Sequence, residues 1–226
     1  MVESEPQRRD ADTIRGRRLS RILQIAAVAA SLLATQGANA QFADTFDRPD
    51  AVAIGNGWIE KNPQSFQLVG GGAAKQNVGS GYRDNVVYRP ASEDLLDVEA
   101  EIEIRLNSSS PGYPQIFTRL QSASVANSNT LTGYILYVSN NNSQAVVGRQ
   151  VGSAFVTSLA VINLSAPLNT TDQFRLRLRT SGTNPVQVSG FVERFDGVAW
   201  ETLGQATVND ASGARIDTAG SVSYTH

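Results

Sequence analysis

The chain has no cysteine among its 226 residues and a single histidine, His226, at its last position. The missing thiols exclude cysteine nucleophiles, thiolate zinc sites, iron–sulfur clusters and disulfide bonds. One histidine at the terminus argues against a Ser-His-Asp mechanism and against a multi-histidine metal site. The sequence therefore offers no evident catalytic set.

Charged and aromatic residues are also scarce, at 18% and 7% of the chain, and the formal net charge is −2. A chain without an excess of positive charge does not attract phosphate backbones, so we expect no nucleic-acid partner. The hydrophobic content of 41% is typical of a globular protein and excludes a disordered tail or a coiled coil.

The first forty residues follow the order of a secretory signal peptide. Four arginines between positions 15 and 21 precede an apolar stretch at residues 22–33, and Ala38-Asn39-Ala40 places small residues before a cleavage point. The apolar stretch is shorter than the roughly 20 residues that a bilayer-spanning helix needs. We therefore predict a signal peptide over residues 1–40, export by the Sec or the twin-arginine route, and a secreted protein, periplasmic or extracellular, with no transmembrane segment. A retained amphipathic N-terminal helix is the alternative.

Apolar and polar residues alternate along residues 98–106 and 174–179, which predicts two strands with one buried face each. We expect them to be neighbours in one sheet, so that their charged side chains form a solvated ladder on its outer face. Nine further strands are predicted, at residues 66–69, 85–88, 115–120, 133–138, 145–151, 154–160, 186–195, 202–208 and 221–224. The outward side chains of the two alternating strands are Glu99, Glu101 and Glu103, and Arg175, Arg177 and Arg179.

Clusters of glycine, asparagine, serine and proline separate these strands, and no segment after residue 41 has a helical pattern. Short strands at fairly even spacing without helices indicate an all-β sandwich or barrel. A dozen strands in about 185 residues exceed a small immunoglobulin-type sandwich. We predict a two-sheet antiparallel jelly-roll sandwich in a single domain over residues 41–226.

The opening residues 42–50, with Asp44, Phe46 and Arg48 in a D-x-F-x-R arrangement, are followed by the Gly-x-Gly-Trp turn that ends at Trp58. Both resemble the start of bacterial concanavalin A-like and laminin G-like jelly-roll domains. The likeness continues through the segments 116–119, 134–138, 145–151, 172–179, 191–197 and 219–222, so it spans about residues 42–224.

Domains of this kind usually close with a last strand that pairs beside an N-terminal strand. Here the resemblance implies a strand around residues 44–46, and only residues 220–224 are available to pair with it. The same residues resemble the family's penultimate strand. Either the closing strand is missing or another segment supplies it, and we expect one sheet edge to be incompletely paired, which favours association or low stability.

The resemblance also implies a ligand site on the concave sheet, where Arg119, Tyr137 and Arg149 would converge. Trp200 follows the Asp196-Gly197 turn and is expected to be partly exposed. An exposed ring can stack on the apolar C–H face of a sugar while nearby polar groups bind its hydroxyls. These four residues are the predicted ligand-binding set.

Two acidic groups suggest other chemistry. Some glycoside hydrolases on the same jelly roll use alternating acids along one strand, which makes Glu99, Glu101 and Glu103 an alternative catalytic set. The simpler interpretation is that these acids face solvent. Asp44, Asp47 and Asp50 carry calcium-type oxygen ligands but lack EF-hand spacing, so we expect no cofactor, with calcium as the alternative.

Three functions are compatible with the sequence. The first is a secreted, non-enzymatic β-sandwich module that binds a glycan or a cell-surface component. The second is a glycan-degrading hydrolase or lyase on the same fold, and the third is a structural exported domain without a small ligand. Because fold likeness is a weak warrant for function, the geometry of a site has to decide among them.

Overall fold

The computed structural model describes residues 43–75, 85–89, 96–105, 114–121, 130–139, 143–169 and 171–225. Throughout these ranges the regular elements are strands, and the strands pair antiparallel. The predicted all-β class is confirmed, and the sheets form a sandwich-like architecture. The predicted signal peptide over residues 1–40 lies outside the described residues.

The described residues form thirteen strands, and all but two of them, β1 and β4, are four residues long or longer. They are β1 Ile59–Glu60, β2 Phe66–Val69, β3 Gly72–Lys75, β4 Val86–Tyr88, β5 Val98–Arg105, β6 Gln115–Leu120, β7 Gly133–Val138, β8 Gln144–Gln150, β9 Thr157–Asn163, β10 Gln173–Ser181, β11 Val186–Phe195, β12 Trp200–Asp210 and β13 Ser221–Thr225.

Within the described ranges, two principal sheets and one hairpin account for these strands. The larger sheet has seven strands in the order β1-β4-β13-β6-β7-β8-β9, and the smaller has four in the order β12-β11-β10-β5. Strands β2 and β3 form the separate hairpin. Strands β6 to β9 and strands β10 to β12 lie beside their neighbours in the chain, whereas β4 pairs with β1, β5 pairs with β10, and the last strand, β13, lies between β4 and β6.

The main core lies between the two principal sheets and follows from the period of two along each strand. Phe174, Leu176 and Leu178 on β10 are fully buried, whereas the arginines between them point away from the core. They pack with inward residues of the larger sheet such as Leu136 and Val147. Alternation therefore assigns β10 one apolar inner face and one polar outer face.

The structure differs from the expectation that residues 220–224 pair with a strand at residues 44–46. Strand β13 pairs with β4 on one side and with β6 on the other, so it occupies an interior position in the larger sheet. The expected N-terminal strand at residues 44–46 is not formed, because Phe46 has a φ of 56°, which is incompatible with extended backbone. Residue Ala51 makes only an isolated bridge to Leu68.

No helix among the described residues is long and apolar enough to cross a lipid bilayer.

Candidate functional site

The outer face of the four-stranded sheet carries the most chemically distinctive group of side chains. Because Val192 and the alternate apolar residues of β10 point inward, the residues between them point outward on the same face. We call this group the outer platform. It consists of Arg175, Arg177, Phe191, Glu193, Phe195 and Trp200, contributed by the three neighbouring strands β10, β11 and β12.

The predicted charge ladder is confirmed. Strands β5 and β10 are neighbours, and the Cα register places each arginine of β10 opposite a glutamate of β5. The opposed pairs are Arg175 with Glu103, Arg177 with Glu101, and Arg179 with Glu99.

The ion pairs themselves run diagonally across this register. Arg175 Nη1 lies 3.6 Å from a carboxylate oxygen of Glu101, and Arg177 Nη1 lies 3.9 Å from one of Glu99. The three glutamates therefore belong to a solvent-facing ladder.

Glu193 joins the two central arginines of the platform. Its carboxylate accepts a hydrogen bond from Arg175 Nε at 2.6 Å and lies 3.5 Å from Arg177 Nη2, while only 7% of its side chain is exposed. Burial by itself would lower the pKa of Arg175, but the hydrogen bond that it donates to Glu193 and the charges of Glu101, Glu193 and Glu103 raise it overall. The guanidinium groups are thereby held in fixed positions.

The aromatic side chains of the platform surround these arginines. Phe195 and Trp200 are opposite each other in the register, with ring centroids 5.4 Å apart. The guanidinium carbon of Arg175 lies 4.5 Å from the Trp200 centroid, and that of Arg177 lies 4.4 Å from the Phe191 centroid. Both distances are in the range of cation–π contacts. The three rings are half-buried, so part of each ring surface remains accessible.

A rigid turn stands beside the aromatic end of the platform. Asp196 Oδ1 accepts hydrogen bonds from the backbone N–H groups of Val198 and Ala199, each at 2.7 Å. These backbone hydrogen bonds lower the pKa of the exposed Asp196 carboxyl. Gly197 supplies the positive φ of 100° that the turn requires. Val198 is 91% exposed at the tip, next to the Phe195–Trp200 pair.

The other predicted ligand residues lie elsewhere. Arg119 is fully buried, and its guanidinium donates to the carbonyl oxygens of Leu96 at 2.7 Å, Ile216 at 2.8 Å and Gly182 at 2.6 Å. Burial lowers the pKa of this guanidinium, and the negative charge of Asp97 partly opposes that effect. Each of the three guanidinium nitrogens therefore donates to a backbone carbonyl.

Arg149 and Tyr137 lie on opposite faces of the larger sheet. Arg149 is opposite Tyr134 in the register and points toward the core, where it pairs with Asp210. Tyr137 is three residues beyond Tyr134, so it points to the other face and packs against a second apolar cluster that includes Phe117. The fold thus does not bring Arg119, Tyr137 and Arg149 together, and Trp200 belongs to the other sheet.

Two of the three aspartates of the predicted calcium alternative, Asp44, Asp47 and Asp50, accept hydrogen bonds in separate places: Asp50 Oδ1 accepts from the backbone N–H of Gly70 at 2.9 Å. Both carboxylate oxygens of Asp44 accept hydrogen bonds. Oδ1 accepts from the backbone N–H of Phe46 at 2.9 Å, and Oδ2 accepts from Trp58 Nε1 at 3.0 Å and Asn56 Nδ2 at 3.1 Å. Burial would raise the pKa of Asp44, but the hydrogen bonds, led by that from Arg48, lower it overall. Among the described residues there is no group of three or more acidic or histidine side chains that could hold a metal ion.

Sequence reasoning found Trp200 but missed its partners Phe191, Glu193 and Phe195. These three residues are spaced by two at the end of the predicted strand 186–195, so they had to share one face. An acid between two aromatic residues on the exposed face of a strand was the available signal.

Comparisons with protein-family models, with curated proteins and with solved structures find no match for this chain.

Proposed function

We propose that this protein is a secreted, non-enzymatic β-sandwich module that binds carbohydrate on its outer platform. The observation that carries the proposal is the half-buried Phe195–Trp200 pair, held beside fixed arginines on an exposed sheet face. Secretion and a jelly-roll type of sandwich are part of the proposal, and they rest on the sequence pattern of residues 1–40 and on the family resemblance.

The platform combines the two kinds of contact that sugars need. The apolar C–H face of a pyranose packs on the accessible surface of an aromatic ring, and its hydroxyls bind charged or amide groups nearby. Trp200 and Phe195 supply the apolar surface, extended by the exposed Val198. Glu101 and the exposed Gln205, opposite Phe191 on the edge strand β12, supply hydrogen-bonding groups.

Preorganisation favours binding at this surface. A ligand loses affinity when it must immobilise flexible side chains, and long arginine side chains have many rotamers to lose. Here Arg175 and Arg177 are already restrained by Glu193 and by stacking on aromatic rings. Their conformational entropy has been lost on folding, so a ligand does not have to restrict them again.

We propose binding in preference to hydrolysis because of where the three glutamates lie. A glycoside hydrolase places its two carboxyl groups on either side of the scissile bond. Glu99, Glu101 and Glu103 follow one strand on an open outer face, and two of them form ion pairs with arginines. We further propose that binding needs no metal ion, since the carboxylate oxygens of Asp44 are taken up by hydrogen bonds within the chain.

A glycan array probed with the full chain, with and without calcium, tests the proposal. Polysaccharides that bind are then titrated calorimetrically against the wild type and two variants. We expect Trp200→Ala to weaken binding at least about tenfold through lost stacking. The matched control is Phe155→Ala, which removes an aromatic ring that is 92% exposed on the β8–β9 loop, and we expect it to bind like the wild type. Equal affinity of Trp200→Ala and the wild type would overturn the proposal.

A further inference from the structure

The outer face of the four-stranded sheet continues beyond the platform to Arg179, which forms none of the ion pairs of the charge ladder. Arg179 is the last arginine of the alternating series on β10, and it is exposed. The inference drawn from it rests on the proposed function, because it concerns the chemical class of the glycan.

Arg179 has no ion pair among the described residues. Its register partner on β5 is Glu99, but the carboxylate of Glu99 lies within 3.9 Å of Arg177 instead. On the other side Arg179 faces Ser189, which is neutral and binds Thr207 by a hydrogen bond of 2.9 Å between the two hydroxyls. By contrast, Arg175 and Arg177 each form ion pairs with two glutamates.

The surroundings of Arg179 on this face are uncharged and polar toward β11 and β12. Gln187 and Asn209 are opposite each other in the register, both exposed, and they lie next to the Ser189–Thr207 pair. Amide and hydroxyl groups of this kind bind sugar hydroxyls, while one free guanidinium among them binds an anion bidentately. The combination suits a sugar that carries one carboxylate.

Arg179 and the aromatic rings mark the two ends of one elongated surface. Along β10, Arg179 is six residues from Gln173, the level of the Phe195–Trp200 pair, which corresponds to about 20 Å at a rise of roughly 3.4 Å per residue. A single monosaccharide cannot reach both ends. A ligand that uses both is an extended oligosaccharide that runs along the strands.

We propose that the glycan is an acidic polysaccharide rich in uronic acid, with a uronate carboxylate on Arg179 and a pyranose ring on Trp200. The carboxylate pairs with the free guanidinium, and the paired charges of the platform separate the two contacts.

The test uses oligogalacturonate and its methyl-esterified form, which differ in the carboxylate charge and share the sugar chain. We expect wild-type protein to bind the acidic chain at least about tenfold more tightly than the ester, with a preference that falls as salt is raised. Arg179→Gln should reduce the affinity for the acid to that for the ester and leave the ester affinity unchanged. Arg105→Gln, an exposed arginine that binds Gln173 on the same face, is the matched control and should keep the preference.

The outcomes separate this inference from the proposed function. If Trp200→Ala abolishes glycan binding but Arg179→Gln keeps the wild-type preference for the acid, the uronate inference is overturned and the proposed function stands. If neutral glycans bind and oligogalacturonate does not, the same conclusion follows. If the array and both oligosaccharides show no binding, the proposed function fails and the inference fails with it.

Discussion

At the residue scale, a buried polar cluster joins the two sheets at one end of the core. Tyr134 Oη donates to Asp210 at 2.9 Å and accepts from the backbone N–H of Ile216 at 3.1 Å, while Arg149 pairs with the same Asp210 carboxylate. Burial is the main cause that raises the pKa of Tyr134 to about 12. Burial would also raise the pKa of Asp210, but hydrogen bonds from Ser212, Arg149 and Tyr134 lower it overall.

The lowered pKa of Asp210 predicts acid sensitivity. A carboxyl whose pKa is lower in the folded than in the unfolded state stabilises the fold above its unfolded pKa. That contribution is lost as the pH falls through the folded pKa, so we expect the free energy of unfolding to decrease below about pH 4. Asp44, whose pKa is also lowered, adds to the same slope. Urea denaturation at several pH values measures it.

Asp210→Asn should cost about 3 kcal/mol at neutral pH, because it leaves the buried Arg149 guanidinium without its carboxylate. It should also reduce the dependence of stability on pH below about 4, leaving the share of Asp44. Asp217→Asn, at an exposed partner of Arg215, is the control and should stay within about 0.5 kcal/mol of the wild type. An unchanged pH slope in Asp210→Asn would contradict the assignment.

At the element scale, the placement of β13 depends on a bulge in β6. The register between these strands shifts between Ser221 and Ser223, and Arg119 on β6 has a φ of 50°. An extra residue in one strand of an antiparallel pair bends that strand and redirects a side chain. This redirection lets Arg119 reach carbonyl groups beyond the sheet.

Gly220 is required at the entry to β13 because the bulge approaches it closely. A Cβ at this position would lie 2.4 Å from the carbonyl carbon and 2.7 Å from the carbonyl oxygen of Arg119. Backbone atoms cannot move aside cheaply, so we expect Gly220→Ala to destabilise the protein by about 2–3 kcal/mol. Gly213→Ala, where a Cβ meets nothing within 4 Å, should change stability by less than about 0.5 kcal/mol. Chemical denaturation of both variants checks this, and equal stabilities would refute it.

At the scale of the whole molecule, hydrogen bonds from Arg119 connect one sheet to the loops of the other. The residue belongs to the seven-stranded sheet, and its three carbonyl partners belong to segments that flank strands of the four-stranded sheet. Leu96 precedes β5, Gly182 follows β10, and Ile216 lies between β12 and β13. One planar guanidinium therefore satisfies carbonyl groups from three separate connections.

Arg119→Lys should destabilise the whole sandwich by about 3 kcal/mol, because the single nitrogen of the shorter lysine side chain cannot reproduce the guanidinium geometry at three carbonyls. We expect faster hydrogen exchange in the segments around Leu96, Gly182 and Ile216, measured by mass spectrometry on the folded protein. Arg105→Lys, at an exposed arginine, is the control. Unfolding free energies that match between Arg119→Lys and the wild type would show that the three contacts do not hold the sheets together.

The sequence predicted most strands because a period of two is a local property. Residues 66–69, 115–120, 133–138 and 186–195 coincide with β2, β6, β7 and β11. Strands β1 and β3 were missed, because a two-residue strand has no period and β3 directly follows glycines that indicate a turn. Strand β9 begins three residues later than predicted, because residues 151–154 form a turn closed by Ala154 N–H donating to Val151 O.

The charge ladder was determined by the sequence itself, since two alternating strands with opposite charges specify both a shared face and a favourable pairing. The sequence did not determine where the predicted ligand residues Arg119, Tyr137, Arg149 and Trp200 lie relative to one another. The directions of Arg119 and Arg149 depend on a bulge and on a partner, Asp210, that is 61 residues away from Arg149. Local pattern decides which residues share the face of a strand, but only the packing of the sheets decides which faces are buried. The outer platform depends on this packing. Phe195 and Trp200 meet because β11 and β12 form a hairpin, and the packing of the sheets leaves their face open to solvent.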